Sequence, residues 1–312
     1  MMLVAIRKAP PRFTQPGHQP SNEDWRALHA IADAHYPGMM QTFLDAVEAT
    51  RDAVTQENIV SLLAQGPSPA WTRVALAWEE AGRPVLTNGW APDITAMLQD
   101  AAIATQPAIT ALVAEPLRVS LAVMFNQVND EAVRIARTMT GQRITAISDT
   151  TLEGVRTILE RAFAEGRTPD QTARALAHSV GLTPGQVNQL ANYGRGLEEA
   201  GVPFARQEKL MRARARRLLR MRGETIARTE TMQAAMAGQQ SLYEAAQAQG
   251  FVPAGMKRYW ILTFDDRLCA ICQRIPGLNL EGRGIFEPFV TPVGSVLHPP
   301  GHIQCRCAVS LR

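Results

Sequence analysis

Along most of the 312 residues apolar side chains recur at intervals of three and four, and near the end this gives way to short runs of aromatic and β-branched residues. The first spacing lines one stripe of a helix, and the second suits strands. The chain therefore reads as mainly α, with helical N-terminal and central regions, one long basic helix and a small C-terminal α+β module. "SNEDWRALHAIADAHY" sets a serine or asparagine cap before acidic residues and predicts a helix start. Further helices are expected at "MMQTFLDAVEATRDAVTQENIVSLLAQG" and "WTRVALAWEEAG", separated by "GPSPA", with "RPVLTNGWAPD" as a loop. Beyond Asp93 the pattern stays helical through "VNDEAVRIARTMT", with interruptions at Pro107 and Pro116.

"GRTPDQTARAL" and "GLTPGQVNQL" each place threonine as an N-cap and proline at the first helical position, which predicts two short helices joined by tight turns. The pair has a superficial likeness to a helix-turn-helix, though a plain helical hairpin is the commoner structure. From Phe204 to about Gln249 the pattern predicts one long helix or two collinear ones, bent near Gly223 or Gly238. After Gly250, "KRYWILTF" and the terminal "CAVSLR" have the composition of strands. Four regions follow: a proline-rich extended arm at 1–22, a helical N-terminal domain at 23–130, a helical central region at 131–250, and a Cys/His-rich module at 251–312.

Charge divides the chain unevenly. Residues 1–130 carry 8 basic and 13 acidic side chains, and residues 131–312 carry 24 and 16. Acidic and basic halves are expected to meet different partners. The segment "RQEKLMRARARRLLRMR" concentrates eight cationic residues on the long helix, with a stripe at three-to-four spacing through Leu210, Ala213 or Arg214, Arg217 or Leu218, and Met221. Two readings of Arg212, Arg214, Arg216, Arg217 and Arg220 carry equal weight: a solvated face paired with carboxylates of an assembly, or contact with DNA phosphate, which needs no base sequence. "MMLVAIRKAP" is too short an apolar run for a secretory signal, and the most apolar later stretch is interrupted by Gln106, Pro107, Glu115, Pro116 and Arg118, short of a membrane span.

All four cysteines fall in the last 44 residues, as "CAIC" at 269–272 and "CRC" at 305–307, with His302 just before the second pair. A module of this size buries little apolar surface, and a metal commonly supplies the missing stability. Cys269 and Cys272 have the spacing that lets two sulfurs reach one ion, and Cys305, Cys307 and His302 offer a second ligand group. Four thiolates, or three with His302, complete a tetrahedral Zn²⁺ site. The tight Cys-Arg-Cys spacing crowds an ion, which leaves room for only one of the pair to bind while His302 or His298 fills the fourth place. Packed thiols without metal, or a disulfide, compete with the structural zinc reading; a catalytic centre is weakest, since four protein ligands leave no open position. Asp265 and Asp266 read most simply as the N-cap of the helix that follows. The chain has no Gly-rich phosphate loop, Gly-x-Ser-x-Gly or His-Glu-x-x-His, so nothing else suggests enzyme chemistry.

In this order, "ARTETMQAAMAGQQSLYEAA", a tryptophan-containing strand, "DDRLCAICQRIPG", a phenylalanine-proline loop and "PPGHIQCRCAVSL" resemble the head morphogenesis domain of tailed phages, the Mu F-like minor head proteins. The resemblance covers about residues 150–312. It implies a non-enzymatic virion or prophage protein, made in the host cytoplasm, acting in head assembly at the portal vertex beside the portal and other head proteins, and placed where it can contact packaged double-stranded DNA. It also places Cys269, Cys272, His302, Cys305 and Cys307 on the domain's recurrent motif. With the charge division, it leads us to expect the acidic half to dock on the portal. The alternative is a metal-dependent nuclease of His-Asn-His type, which needs a further histidine pair beside the scissile phosphate, where this chain has only His298 and His302 nearby.

Overall fold

The computed structural model describes residues 22–112, 118–263 and 268–312. Among these residues eight α-helices precede the first strand: α1 (Asn22–Asp52), α2 (Gln56–Leu63), α3 (Pro67–Ala77), α4 (Arg83–Leu112), α5 (Arg118–Ala164), α6 (Pro169–Ser179), α7 (Pro184–Glu199) and α8 (Phe204–Ala248). A π-helical turn, Trp78–Gly82, joins α3 to α4. The module then runs β1 (Arg258–Ile261), α9 (Ala270–Arg274), a 3₁₀ turn at Pro276–Leu278, β2 (Phe289–Thr291), β3 (Gly294–Val296) and β4 (Ala308–Leu311). Among the described residues the fold is mostly helical with two small antiparallel sheets, as the periodicity predicts.

The two Thr-Pro starts form as expected. Thr168 and Thr183 cap α6 and α7, each with a reciprocal bond to a glutamine three residues on, Gln171 and Gln186. α6 and α7 pack against α5 and α8 as part of the helical core. α8 is a single 45-residue helix, about 67 Å long at 1.5 Å per residue.

Prolines deceive the sequence reading elsewhere. α1 runs through Pro37, and α4 includes both the stretch 83–93 expected as a loop and Pro107. An interior proline costs a helix about 3 kcal/mol, roughly what burying one or two large apolar side chains returns. Met39, Phe43 and Val47 beyond Pro37, and Leu86, Trp90, Ile94 and Met97 around Pro92, are all buried, so packing holds these helices together. Trp90 is fixed by its indole N–H donating to the Met39 carbonyl at 3.0 Å. Pro116 lies outside the described residues.

The helical core does not respect the boundary drawn at 130. α1 and α4 pack on α8 and on each other, α5 spans the boundary, and one apolar cluster joins Phe43, Trp90 and Met97 to Ile158, Leu182 and Leu218. Close helix approach is built in by glycine: a Cβ on Gly238 of α8 would stand 2.4 Å from the Leu98 carbonyl oxygen of α4.

The C-terminal module borrows its core. Leu242, Tyr243 and Ala246 of α8 and Ile109 of α4 pack with Trp260, Ile275, Phe289, Val309 and three of the cysteines. β1 and β4 pair antiparallel, Arg258 opposite Leu311 and Ile261 opposite Ala308, and β2 and β3 form a hairpin. Among the described residues no helix is long and apolar enough to cross a membrane.

Candidate metal centre and basic helix face

α9 starts at Ala270 with Cys269 as its N-cap, the sulfur accepting the Cys272 N–H at 3.4 Å. The aspartates expected in that role, Asp265 and Asp266, lie outside the described residues. Across from this turn, His302 and Cys305 share another: Cys305 N–H donates to the His302 carbonyl at 3.1 Å, and Gln304 closes the turn at φ 60°. Few residues other than glycine hold that conformation. Here it is held from α8, since Gln304 N–H donates to Thr229 Oγ1 at 3.1 Å and Gln304 Nε2 to Thr225 Oγ1 at 2.9 Å.

The two turns bring all five expected ligands together. His302 Nε2 is 3.1 Å from Cys269 Sγ and 2.9 Å from Cys272 Sγ, and Cys272 and Cys305 sulfurs are 3.7 Å apart. The donors form two overlapping groups, Cys269, Cys272 and His302 in one and Cys272, Cys305 and Cys307 in the other, with atoms in each within 4.8 Å of one another. Cys272 belongs to both. On its other side His302 Nδ1 lies 2.7 Å from the Ile303 carbonyl, which can only accept; the proton therefore sits on Nδ1 and the Nε2 lone pair faces the sulfurs. This orientation and donor chemistry fit a soft or borderline divalent ion such as Zn²⁺.

The sulfur contacts lodge one negative charge here. The Cys272 S–H, then that of Cys307, hold the Cys305 thiol far below its ordinary value, while the contact with Cys305, then that with Cys307, pushes Cys272 up. A cation is the natural complement of such a cluster. His298, the other histidine nearby, bonds its neighbour's carbonyl, Pro299 O, at 2.6 Å, whereas His302 faces the sulfurs.

Two residues the sequence reading overlooked fix the surroundings. Arg258 is wholly buried, and its guanidinium donates to Gly284 O at 2.8 and 3.1 Å, Leu297 O at 2.6 Å, Gln240 Oε1 at 2.5 Å and Glu287 O. Trp260, opposite Val309 in the sheet, sets its ring edge-on to Phe289 at 5.3 Å and against Gly301. Strand-like composition was visible at both positions, but nothing in it marked them as hubs.

With the order of motifs now seen as one connected structure, the comparison with known families decides the grouping. The family described as Phage Mu protein F like protein matches residues 153–310. The chain belongs to that family. No curated protein and no solved structure matches it. Membership in the Mu F-like family makes this a phage head morphogenesis protein in general terms, and the matched span bears out the resemblance read from the motifs.

The second expected site is on α8. Arg212, Arg216, Arg217 and Arg220 are exposed, together with Arg206 and Lys209. Arg214 differs: it is partly buried, its guanidinium 5.9 Å from the Tyr193 ring centre of α7. The apolar stripe is also displaced from the expected one. Ala215, Leu218 and Leu219 face the core, while Ala213 and Met221 face solvent. Arg222, last of the basic run, is buried and donates to Gly181 O at 2.6 Å, Thr151 Oγ1 at 3.1 Å and Ile147 O at 3.3 Å.

Proposed function

We propose that this Mu F-like protein works as a low-copy component at the portal vertex of an assembling head, that its C-terminal knuckle holds a structural zinc ion, and that the exposed face of α8 rests on packaged DNA. The observation that carries the DNA reading is the outward display of Arg212, Arg216, Arg217 and Arg220 beside Arg206 and Lys209. Among the described residues only Arg212 has a carboxylate near, Glu208 at 3.8 Å, and that pair is largely exposed. Such a face attracts phosphate without reading bases. Arg214, held over Tyr193, contributes less than the other four.

Replacing Arg216, Arg217 and Arg220 by glutamine tests it. Each phosphate contact contributes about 0.9 to the slope of log affinity against log salt, so the triple variant is expected to flatten that slope by roughly 2 to 3 units, with little preference among DNA sequences. An unchanged slope would assign the face to protein contacts.

The portal reading draws support from family membership and from the acidic surface of the N-terminal half. Asp45, Glu48 and Asp52 are exposed at helical spacing on α1. Deleting residues 1–130 would strip α1 and α4 from the shared core, so reversing these three charges is the cleaner test. Loss of co-purification with a tagged portal protein is expected. If the variant still co-purifies, docking does not use this face; if the wild-type chain fails to co-purify, the portal assignment fails.

A further inference from the structure

Five candidate donors are more than one tetrahedral ion accepts, so the cluster must choose. Sulfurs bound to one zinc at about 2.3 Å stand about 3.8 Å apart in a tetrahedron. Cys272 and Cys305 already have that separation, 3.7 Å. The backbone points the same way. Cys269 and Cys272 are preset by the N–H to sulfur bond that opens α9, and His302 and Cys305 by their shared turn anchored on Thr225 and Thr229.

Cys307 has a different setting. It stands immediately before β4, whose first residue Ala308 pairs with Ile261, so its backbone follows the sheet rather than the knuckle. Beside it the buried Trp260 indole N–H has no hydrogen-bond partner among the described residues, and the Cys307 sulfur is the polarisable group next to it. A ligand set that includes His302 also keeps the buried charge small. Cys272, Cys305 and Cys307 are 3%, 1% and 1% exposed, and four thiolates with one divalent ion would bury two net negative charges where three thiolates and a neutral imidazole bury one.

We propose that Cys269, Cys272, His302 and Cys305 hold one ion, and that Cys307 is a positioning residue that packs beside Trp260 at the start of β4 without binding metal. This rests on the zinc reading above. The test uses the full chain, reduced and loaded with Co²⁺, whose sulfur-to-cobalt charge-transfer absorption grows with the number of bound thiolates, alongside elemental analysis of the zinc form. Cys307→Ser and Cys307→Ala are expected to keep one metal per chain and the wild-type band. Cys305→Ser is expected to lose about a third of the band, the share of one thiolate in three, and to bind metal at least about tenfold more weakly. Circular dichroism of each variant guards against a folding defect in the helices. Loss of metal in both Cys307 variants with retention in Cys305→Ser overturns the assignment and puts Cys307 in the site. A wild-type chain that takes up neither metal overturns the zinc reading and this inference together.

Discussion

Arg222 in the helical body and Arg258 in the C-terminal module are the same device in two settings. Each guanidinium is buried, bonds no carboxylate among the described residues, stacks on a phenylalanine (Phe43 at 5.4 Å, Phe289 at 5.0 Å) and is pushed down to about 10 by desolvation. Their surroundings differ. Around Arg222 the backbone is helical and satisfies itself, so the arginine adds three bonds to a core of large apolar residues. Around Arg258 the acceptors Gly284, Glu287 and Leu297 lie in loop on either side of the β2–β3 hairpin, where their carbonyls have no ladder to join. The five N–H groups of one arginine stand in for the missing strand. The helical body is held by burial, and the module by polar bonds and, on our reading, an ion.

The largest effect should come from Arg258→Lys. Lysine has three donors in place of five and cannot reproduce the fork, leaving several buried acceptors unmet, so a loss of about 3–5 kcal/mol is expected. Hydrogen exchange should show it locally, at residues 283–311, with α1 and α4 still protected. Arg222→Lys should cost less and lower protection across the body. Equal, global losses in both variants would erase the distinction between the two regions.

Gly238→Ala should do the reverse, damaging the body first. Its Cβ would meet backbone, the Leu98 carbonyl, which cannot swing away, so α4 and α8 must separate. A cost of about 1–3 kcal/mol is expected in chemical denaturation. A neutral substitution would show that the helix contact is looser than the close approach implies.

The smallest effect lies at the seam between body and module. Burial raises Glu230 of α8 from 4.5 to about 7 against the pull of Arg143, 3.1 Å away, and burial lowers His298 from 6.5 to about 4, with Arg258 and Arg143 adding to the fall. From pH 4.5 to 7 the folded chain keeps a proton on Glu230 that the unfolded chain releases, so this group makes stability fall as pH rises. From pH 4 to 6.5 the unfolded chain protonates His298 while the folded chain does not, so this group makes stability rise with pH. The two slopes oppose each other across most of the window. Glu230→Gln should expose the rising arm, at most about 3 kcal/mol between pH 4 and 6.5, in denaturation curves taken at each pH. A flat profile in that variant would mean His298 is less desolvated than its position suggests.

Much of this was readable before any coordinates. The Thr168 and Thr183 caps, the long α8, the strands at Arg258–Ile261 and Ala308–Leu311, and the gathering of Cys269, Cys272, His302, Cys305 and Cys307 follow from local chemistry: capping, periodicity, β-branching and ligand spacing. Those signals depend on a few neighbouring residues, so a sequence can display them. Tertiary structure alone decided the rest. Pro37, Pro92 and Pro107 break helices by local rules and sit inside them here, because buried apolar partners from other helices outweigh the lost bonds. Arg214 and Arg222 look like members of one basic run with Arg212 and Arg216, and only the neighbours at Tyr193 and Gly181 separate packing residues from surface ones. Nothing near Arg258 in the chain announces that four acceptors from Gln240 to Leu297 converge on it. Burial is a property of what the folded chain brings from afar, and residue type and spacing do not carry it.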